Sequence, residues 1–240
     1  MRKFCLAVVL SFLALNAFAQ DPLKVAPQAY KLAFENDWVK VVRVHYAPRE
    51  KVVEHNHPKM ATIYVYLNDG GPVIFKHHGG PAVTRPATKA KAFRIYPSIV
   101  ETHEVENTSD LPSDFLRVEM KTEPLGKNTF FGRYLPKPRP PNENYQKVEF
   151  ENEQVRVTRV VVGPRKQSDT AVSAAEPSLW VALTASKLKI FRKGKASRTA
   201  LELGQTRWVE AGTEERFENL AEAEAEFLRF DFKSKPIAGR

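Results

Sequence analysis

One short stretch of this chain occurs twice, and that repetition constrains the fold more than composition does. Phe34-Glu35-Asn36-Asp37-Trp38-Val39-Lys40-Val41-Val42-Arg43-Val44 returns as Phe150-Glu151-Asn152-Glu153-Gln154-Val155-Arg156-Val157-Thr158-Arg159-Val160, an offset of 116 residues. Both copies run on to a Pro-Arg pair, Pro48-Arg49 and Pro164-Arg165. A second set of landmarks closes each copy at an offset of 112. Glu106-Asn107 matches Glu218-Asn219, and Phe115-Leu116-Arg117-Val118-Glu119 matches Phe227-Leu228-Arg229-Phe230-Asp231. Matched beginnings and ends around a slightly shortened middle indicate a tandem duplication. The 240 residues then divide into two similar units of about 100–120 residues, each long enough to bury a core.

Both copies read as β structure. Val39 to Val44 and Val155 to Val160 are rich in β-branched residues with partial alternation, as are Ile63-Tyr64-Val65-Tyr66-Leu67 and Leu188-Lys189-Ile190-Phe191. Turn signals separate them, among them Asn68-Asp69-Gly70-Gly71-Pro72, Gly79-Gly80-Pro81, Lys193-Gly194-Lys195 and Ala211-Gly212-Thr213. No amphipathic helix of ordinary length is evident beyond the N-terminal region. Pro136, Pro138, Pro140 and Pro141 break up the stretch between the copies and mark a linker over 126–141. The expectation is an all-β chain with units at 20–125 and 142–236, each a sandwich or barrel.

The N-terminus carries its own signal. Arg2 and Lys3 precede an apolar run from Phe4 to Leu15, and Ala17-Phe18-Ala19 supplies the small-x-small pattern that signal peptidase cuts. The run is shorter than the roughly 20 apolar residues of a membrane span, and no later segment is a candidate span. Residues 1–19 are therefore expected as a signal peptide, cleaved after Ala19, with the mature chain periplasmic or secreted. The single cysteine, Cys5, lies in that segment, so disulfides, thiolate metal sites and cysteine nucleophiles are excluded from the mature chain. The net charge is +9, but the basic residues are interspersed with acids, which argues against nucleic acid as a partner. Chemistry is left to histidines, carboxylates, hydroxyls, lysines and arginines.

All six histidines fall in the first copy: His45, His55, His57, His77, His78 and His103. His55-Asn56-His57 places two imidazoles at i and i+2, on one face of a strand. An isolated pair of this kind also arises by chance as two surface histidines. His45 reads as a part-buried strand residue. His77 and His78, just before Gly79-Gly80, read as solvated loop residues.

From His55 to Gly70 the sequence resembles the first motif of the cupin superfamily, in which H-x-H is followed by a Glu and a turn glycine. The His57-Pro58 step is similar to that of germins. Pro97 to Asn107 resembles the second motif, with its proline turn, His103 and Asn107, and one extra residue between proline and histidine. With the duplication, the chain resembles a bicupin, which implies two tandem cupin-type jelly-roll β-barrels. The resemblance implies a metal held by His55, His57, a Glu and His103, yet Thr62 stands in the place of that Glu. Arg49 and Val100 stand where motif glycines are usual. Three neutral imidazoles suit a divalent transition metal (Zn, Fe, Mn, Ni or Cu) with positions open to substrate or water. Glu101, two residues from His103, shares its strand face and is a candidate further ligand, whereas Glu54 is off the face of His55. Tyr64 and Tyr66 share a face with Thr62, so all three are expected inside the barrel, lining a substrate pocket or filling it.

The second copy has no histidine. Ala171, Val172 and Ser173 align with His55, Asn56 and His57, Glu215 aligns with His103, and Trp180 falls opposite Tyr64. This unit is expected to lack a metal site and to support the first unit or form an oligomer contact. The combined expectation is an exported bicupin with a three-histidine metal site in its first barrel, binding a small-molecule ligand. One reading is a metal-dependent enzyme, dioxygenase- or isomerase-like, on a small oxygen-rich molecule. The alternatives are a non-catalytic module for a small molecule or sugar, and a structural bicupin; the missing Glu gives weight to both, since a metal does not imply turnover. A homo-oligomer is compatible with all three.

Overall fold

The computed structural model describes residues 20–124, 131–168 and 172–239, so the expected signal peptide lies outside the described residues. A one-turn helix, α1 (Pro22–Val25), precedes the first copy. That copy forms β1 (Tyr30–Glu35), β2 (Val39–Tyr46), β3 (Lys51–Tyr66), β4 (Val73–His77), β5 (Ala82–Arg85), β6 (Phe93–Asn107) and β7 (Ser113–Met120), and β8 (Gly132–Tyr134) follows. The second copy forms β9 (Tyr145–Glu151), β10 (Val155–Val162), β11 (Val172–Ala174), β12 (Ser178–Ala182) and β13 (Ser186–Arg192). It ends with β14 (Lys195–Leu201), β15 (Thr206–Val209), β16 (Thr213–Asn219) and β17 (Ala225–Phe232).

The first copy is one sheet in the order β1-β2-β7-β3-β6-β4-β5, with β8 on β6. The second copy is two sheets, β9-β10-β17-β12-β15 and β11-β16-β13-β14. The orders coincide once β3 is matched to β11 plus β12, and β6 to β15 plus β16. What differs is continuity. The β3–β6 ladder of the first copy persists through register shifts between Val52/His55, His57/Met60 and Met60/Thr62. Pro58 and Pro97 sit in those gaps, where a missing N–H costs no ladder bond. Bulges bend a strand and re-aim its side chains, and here they lie on both sides of His55-Asn56-His57. Among the described residues no sheet closes on itself as a barrel. The first copy is a bent open sheet whose edges, β1 and β5, do not pair, and the second is a pair of sheets packed through Val160, Trp180, Ile190, Phe217 and Phe227.

The sequence landmarks repeat in atomic detail. Asn36 Oδ1 accepts from the amides of Trp38 and Val39, as Asn152 Oδ1 does from Gln154 and Val155. Asn107 Nδ2 donates to the carbonyls of Tyr46, Ala47 and Leu111, and Asn219 Nδ2 to those of Val162, Gly163 and Ala223. Arg49 and Arg165 both take a left-handed backbone (φ 60° and 56°), which accounts for glycine being usual there. Each anchors the turn by clamping an acid, Asp110 or Glu222.

Partial alternation in the strands has a simple cause: they are buried on both faces. On one face Val41, Ile63, Val65 and Val118 share a core with Val157, Val181, Leu228 and Phe230 of the second copy. On the other, Val44, Tyr46, Tyr64, Phe75 and Phe115 form the first copy's own interior. The join is reciprocal. Arg43 Nη1 donates to Leu203 O (3.1 Å), and its repeat mate Arg159 donates through Nη2 to Lys91 O (2.9 Å). Gly204 permits the close approach. Its φ is +77°, and a Cβ there would lie 2.6 Å from Leu67 Cδ1. Arg159 is buried between Glu149 (2.9 Å) and Glu226 (2.7 Å), and Glu226 also holds Lys91. Residues 131–141 of the segment expected as a linker are docked: β8 pairs with β6, and Arg139 clamps Glu224.

Candidate metal centre

β3 delivers His55 and His57, and β6 delivers His103 directly opposite His55. All three side chains are buried, and their ligand nitrogens lie within 4.8 Å of one another. Ring centroids stand 4.8 Å apart for His55–His103 and 5.2 Å for His57–His103. The His55 Nδ1–H donates to Val53 O (2.8 Å), which leaves Nε2 as the lone-pair nitrogen. That nitrogen accepts from Tyr30 of β1 (2.8 Å), whose hydroxyl also meets that of Tyr46 (2.6 Å). His103 is the opposite case: it is 1% exposed, and neither ring nitrogen has a hydrogen-bond partner among the described residues. Burial lowers the pKa of His55 to about 4, and lowers those of His57 and His103 as well, with nearby Arg117 adding to the effect. All three imidazoles are therefore neutral at pH 7, the form a metal ligand requires.

Two carboxylates face this cluster. Glu101 Oε1 is 3.3 Å from His103 Nδ1, out of line for a hydrogen bond, and is tied to Arg85 and Arg117. Burial raises its pKa, but His103, Arg117 and Arg85 outweigh it and hold the carboxyl below its usual range. Glu101 groups with His103 and His77 rather than with the pair on β3. The second carboxylate is Glu119 of β7, the cross-strand neighbour of Thr62. Its Oε1 accepts from Arg117 Nε (2.7 Å) and lies 3.8 Å from His57 Nδ1. Its buried Oε2 has no partner among the described residues. Sequence reasoning missed Glu119. The available signal was an Arg-x-acid step at the same place in both copies, Arg117-Val118-Glu119 and Arg229-Phe230-Asp231.

The remaining sequence candidates separate. Thr62 is buried with its hydroxyl on Met60 O (3.1 Å), and it lines none of the cavities described below. Tyr64 fills the interior, its hydroxyl accepting from Arg117 Nη1 (2.8 Å), and Tyr66 lines a different cavity. His77 is no solvated loop residue: it ends β4, is half-buried, and lies 5.5 Å ring to ring from His103. His78 is exposed beside Glu54, and His45 is exposed beside Asp114 rather than part-buried. The interior around the histidines holds only about 10 Å³ of free space, filled by Tyr30, Tyr46, Tyr64, Phe75, Arg85 and Phe115. Access comes from elsewhere. A cavity of about 440 Å³ reaches His57, Arg117 and Glu119, with Lys40 and Asp21 on its wall and Pro22, Val42, Pro58 and Val100 as apolar surface.

No protein-family profile and no curated protein sequence matches the chain. Solved structures do. AerE from Microcystis aeruginosa matches with a TM-score of 0.58 at 12% identity, over 85% of this chain and 97% of that one. A point mutant of the Bacillus subtilis oxalate decarboxylase OxdC matches with a TM-score of 0.58 at 12% identity, over 83% and 70%. Salicylate 1,2-dioxygenase from Pseudoaminobacter salicylatoxidans, as a gentisate adduct, matches with a TM-score of 0.53 at 12% identity, over 82% and 68%. The likeness is one of fold, and these neighbours are cupin proteins. Within this chain the two copies have diverged in chemistry. Where His103 stands in the first, Glu215 in the second is locked to Arg207 by two hydrogen bonds of 2.7 and 2.5 Å. Trp180 takes the place of Tyr64, opposite Arg229 as Tyr64 is opposite Arg117.

Proposed function

We propose that this chain is an exported, metal-dependent enzyme acting on a small organic acid at the three-histidine site of its first copy. One observation carries the reading: the ligand nitrogens of His55, His57 and His103 converge within 4.8 Å, His103 Nε2 and Glu119 Oε2 are buried with no hydrogen-bond partner among the described residues, and His57 and Glu119 open on a cavity that admits a ligand. Buried polar atoms are almost always satisfied, and a cation is what this set lacks. His55, His57 and His103 with Glu119 would hold it, a donor set suited to zinc, iron, manganese, nickel or copper. Such an ion supplies a Lewis acid for a substrate oxygen. The chain's own residues supply the rest. Arg117, fixed by Glu119 and Tyr64, and Lys40 place positive charge on the cavity wall, while the prolines and valines exclude water from the ligand's apolar part. This suits a carboxylate with a small apolar body. The neighbours named for oxalate and salicylate support that class.

Glu119 takes over from the absent motif carboxylate. Glu119→Thr is expected to weaken metal binding by about tenfold or more. Thr62→Glu added to it should restore much of the loss, because the two positions are direct cross-strand neighbours. Elemental analysis after dialysis and chelator competition measure both variants. Wild-type affinity in Glu119→Thr removes Glu119 from the ligand set.

A second reading, ligand binding without turnover, is favoured by Tyr30, whose hydroxyl occupies the His55 lone pair. A metal on His55 displaces that bond. Tyr30→Phe should therefore tighten metal binding by about 2- to 10-fold, the net worth of one hydrogen bond. Unchanged affinity by the same competition assay means His55 does not bind through that nitrogen. Consumption of a small carboxylic acid by metal-loaded protein, lost in a metal-free preparation, decides for the enzyme.

A further inference from the structure

A second cavity, of about 330 Å³, shares no lining residue with the one above. Arg85, Arg94 and Arg133 line it together with Tyr66, Tyr96 and Phe131, and no aspartate or glutamate does. Arg94 on β6 and Arg133 on β8 are direct cross-strand partners. Like charges facing each other in a sheet are destabilising, so the arrangement calls for a counter-ion. Arg133 uses Nη2 on Ala87 O (2.8 Å), and Arg85 rests over the Phe75 ring and reaches Glu101. Arg94 stacks on Tyr96 at 4.8 Å, and among the described residues it has no ion pair or hydrogen bond. Burial and the Arg85 charge both disfavour its cation, which a bound anion relieves. Elsewhere in the molecule buried guanidiniums have carboxylates, as Arg159 has Glu149 and Glu226.

We infer that this cavity is a binding site for a small aromatic carboxylate. Arg94 and Arg133 take the carboxylate as charge-assisted donors. Tyr66, Tyr96 and Phe131 offer flat faces to the ring, with Tyr96 and Phe131 at 6.1 Å between centroids. The site stands independently of the metal reading, because none of the proposed ligands lines it.

Calorimetric titration of the metal-free full chain with benzoate tests it, with acetate, inorganic phosphate and benzyl alcohol as comparison probes. Benzoate should bind more tightly than the other three. Arg94→Ala should weaken it by about tenfold or more, and Arg133→Ser, at an exposed position whose change spares the core, should weaken it in the same direction. Tyr96→Leu should weaken benzoate while leaving acetate unchanged. Absence of benzoate binding to wild type, or equal binding by an Arg94→Ala Arg133→Ser double variant, overturns the site. Phosphate binding as tightly as benzoate overturns the ligand class.

Discussion

His57→Ala is expected to fold and to retain no stoichiometric metal, where wild-type protein retains about one ion per chain. The imidazole stands between the cavity and the other two histidines, and Glu119 approaches the cluster through its Nδ1 side. Removing it deletes one of three nitrogen donors and the one nearest Glu119, which leaves too few ligands to hold an ion at full occupancy. The fold survives because the main core is made by valines, leucines and phenylalanines from both copies, and His57 contributes to none of it. Elemental analysis gives the metal content and circular dichroism the fold. Metal retained at wild-type stoichiometry would remove His57 from the ligand set, and the proposed function with it.

Arg159→Ala should be the most destabilising single change outside the candidate centre. Among the described residues Glu149 has only Arg159 as an ion-pair partner, and its side chain is 2% exposed. Truncation leaves that carboxylate buried and unpaired, whereas Glu226 keeps Lys91 and Arg139. Breaking a buried pair from one side costs about 3–5 kcal/mol. For a chain of this size that lowers Tm by roughly 6–20 °C. Adding Glu149→Gln should recover part of the loss, since the orphan is then uncharged. Differential scanning calorimetry reads both variants, and a shift below about 2 °C for Arg159→Ala contradicts the assignment.

The duplication was legible because its landmarks do fixed backbone jobs. Asn36, Asn152, Asn107 and Asn219 each satisfy the same set of amides or carbonyls, so substitution is penalised locally. The three histidines were legible because i, i+2 spacing on a strand fixes a face, and His103 lies in register with His55. Glu119 was not, since its relation to Thr62 exists only through the pairing of β3 with β7, and spacing along the chain carries no trace of it. Nor was the role of His77, which depends on β4 lying against β6 in register with His103. Jelly-roll barrels were expected from resemblance; among the described residues no sheet closes on itself, and a proline in a strand, such as Pro58 or Pro97, does not announce how far the sheet will turn. Partial alternation in β2 and β10 was a trace of the inter-copy core. From one strand alone, a second buried face and a noisy pattern look the same.

The exchanged contacts of Arg43 with Leu203 and of Arg159 with Lys91 are those that two subunits related by a twofold axis make. Here both subunits belong to one polypeptide. Their encounter is governed by the effective concentration set by the connecting segment, not by how much protein is present. Dilution therefore does not separate the faces that bury Ile63 and Leu228, as it does for a dimer held by mass action. Covalent pairing also frees the copies from identity. A symmetric dimer must carry every substitution twice, but this chain can place Glu215 and Arg207 in one half while His103 persists in the other. The half without histidines keeps its obligation to the shared apolar face and loses its obligation to the chemistry.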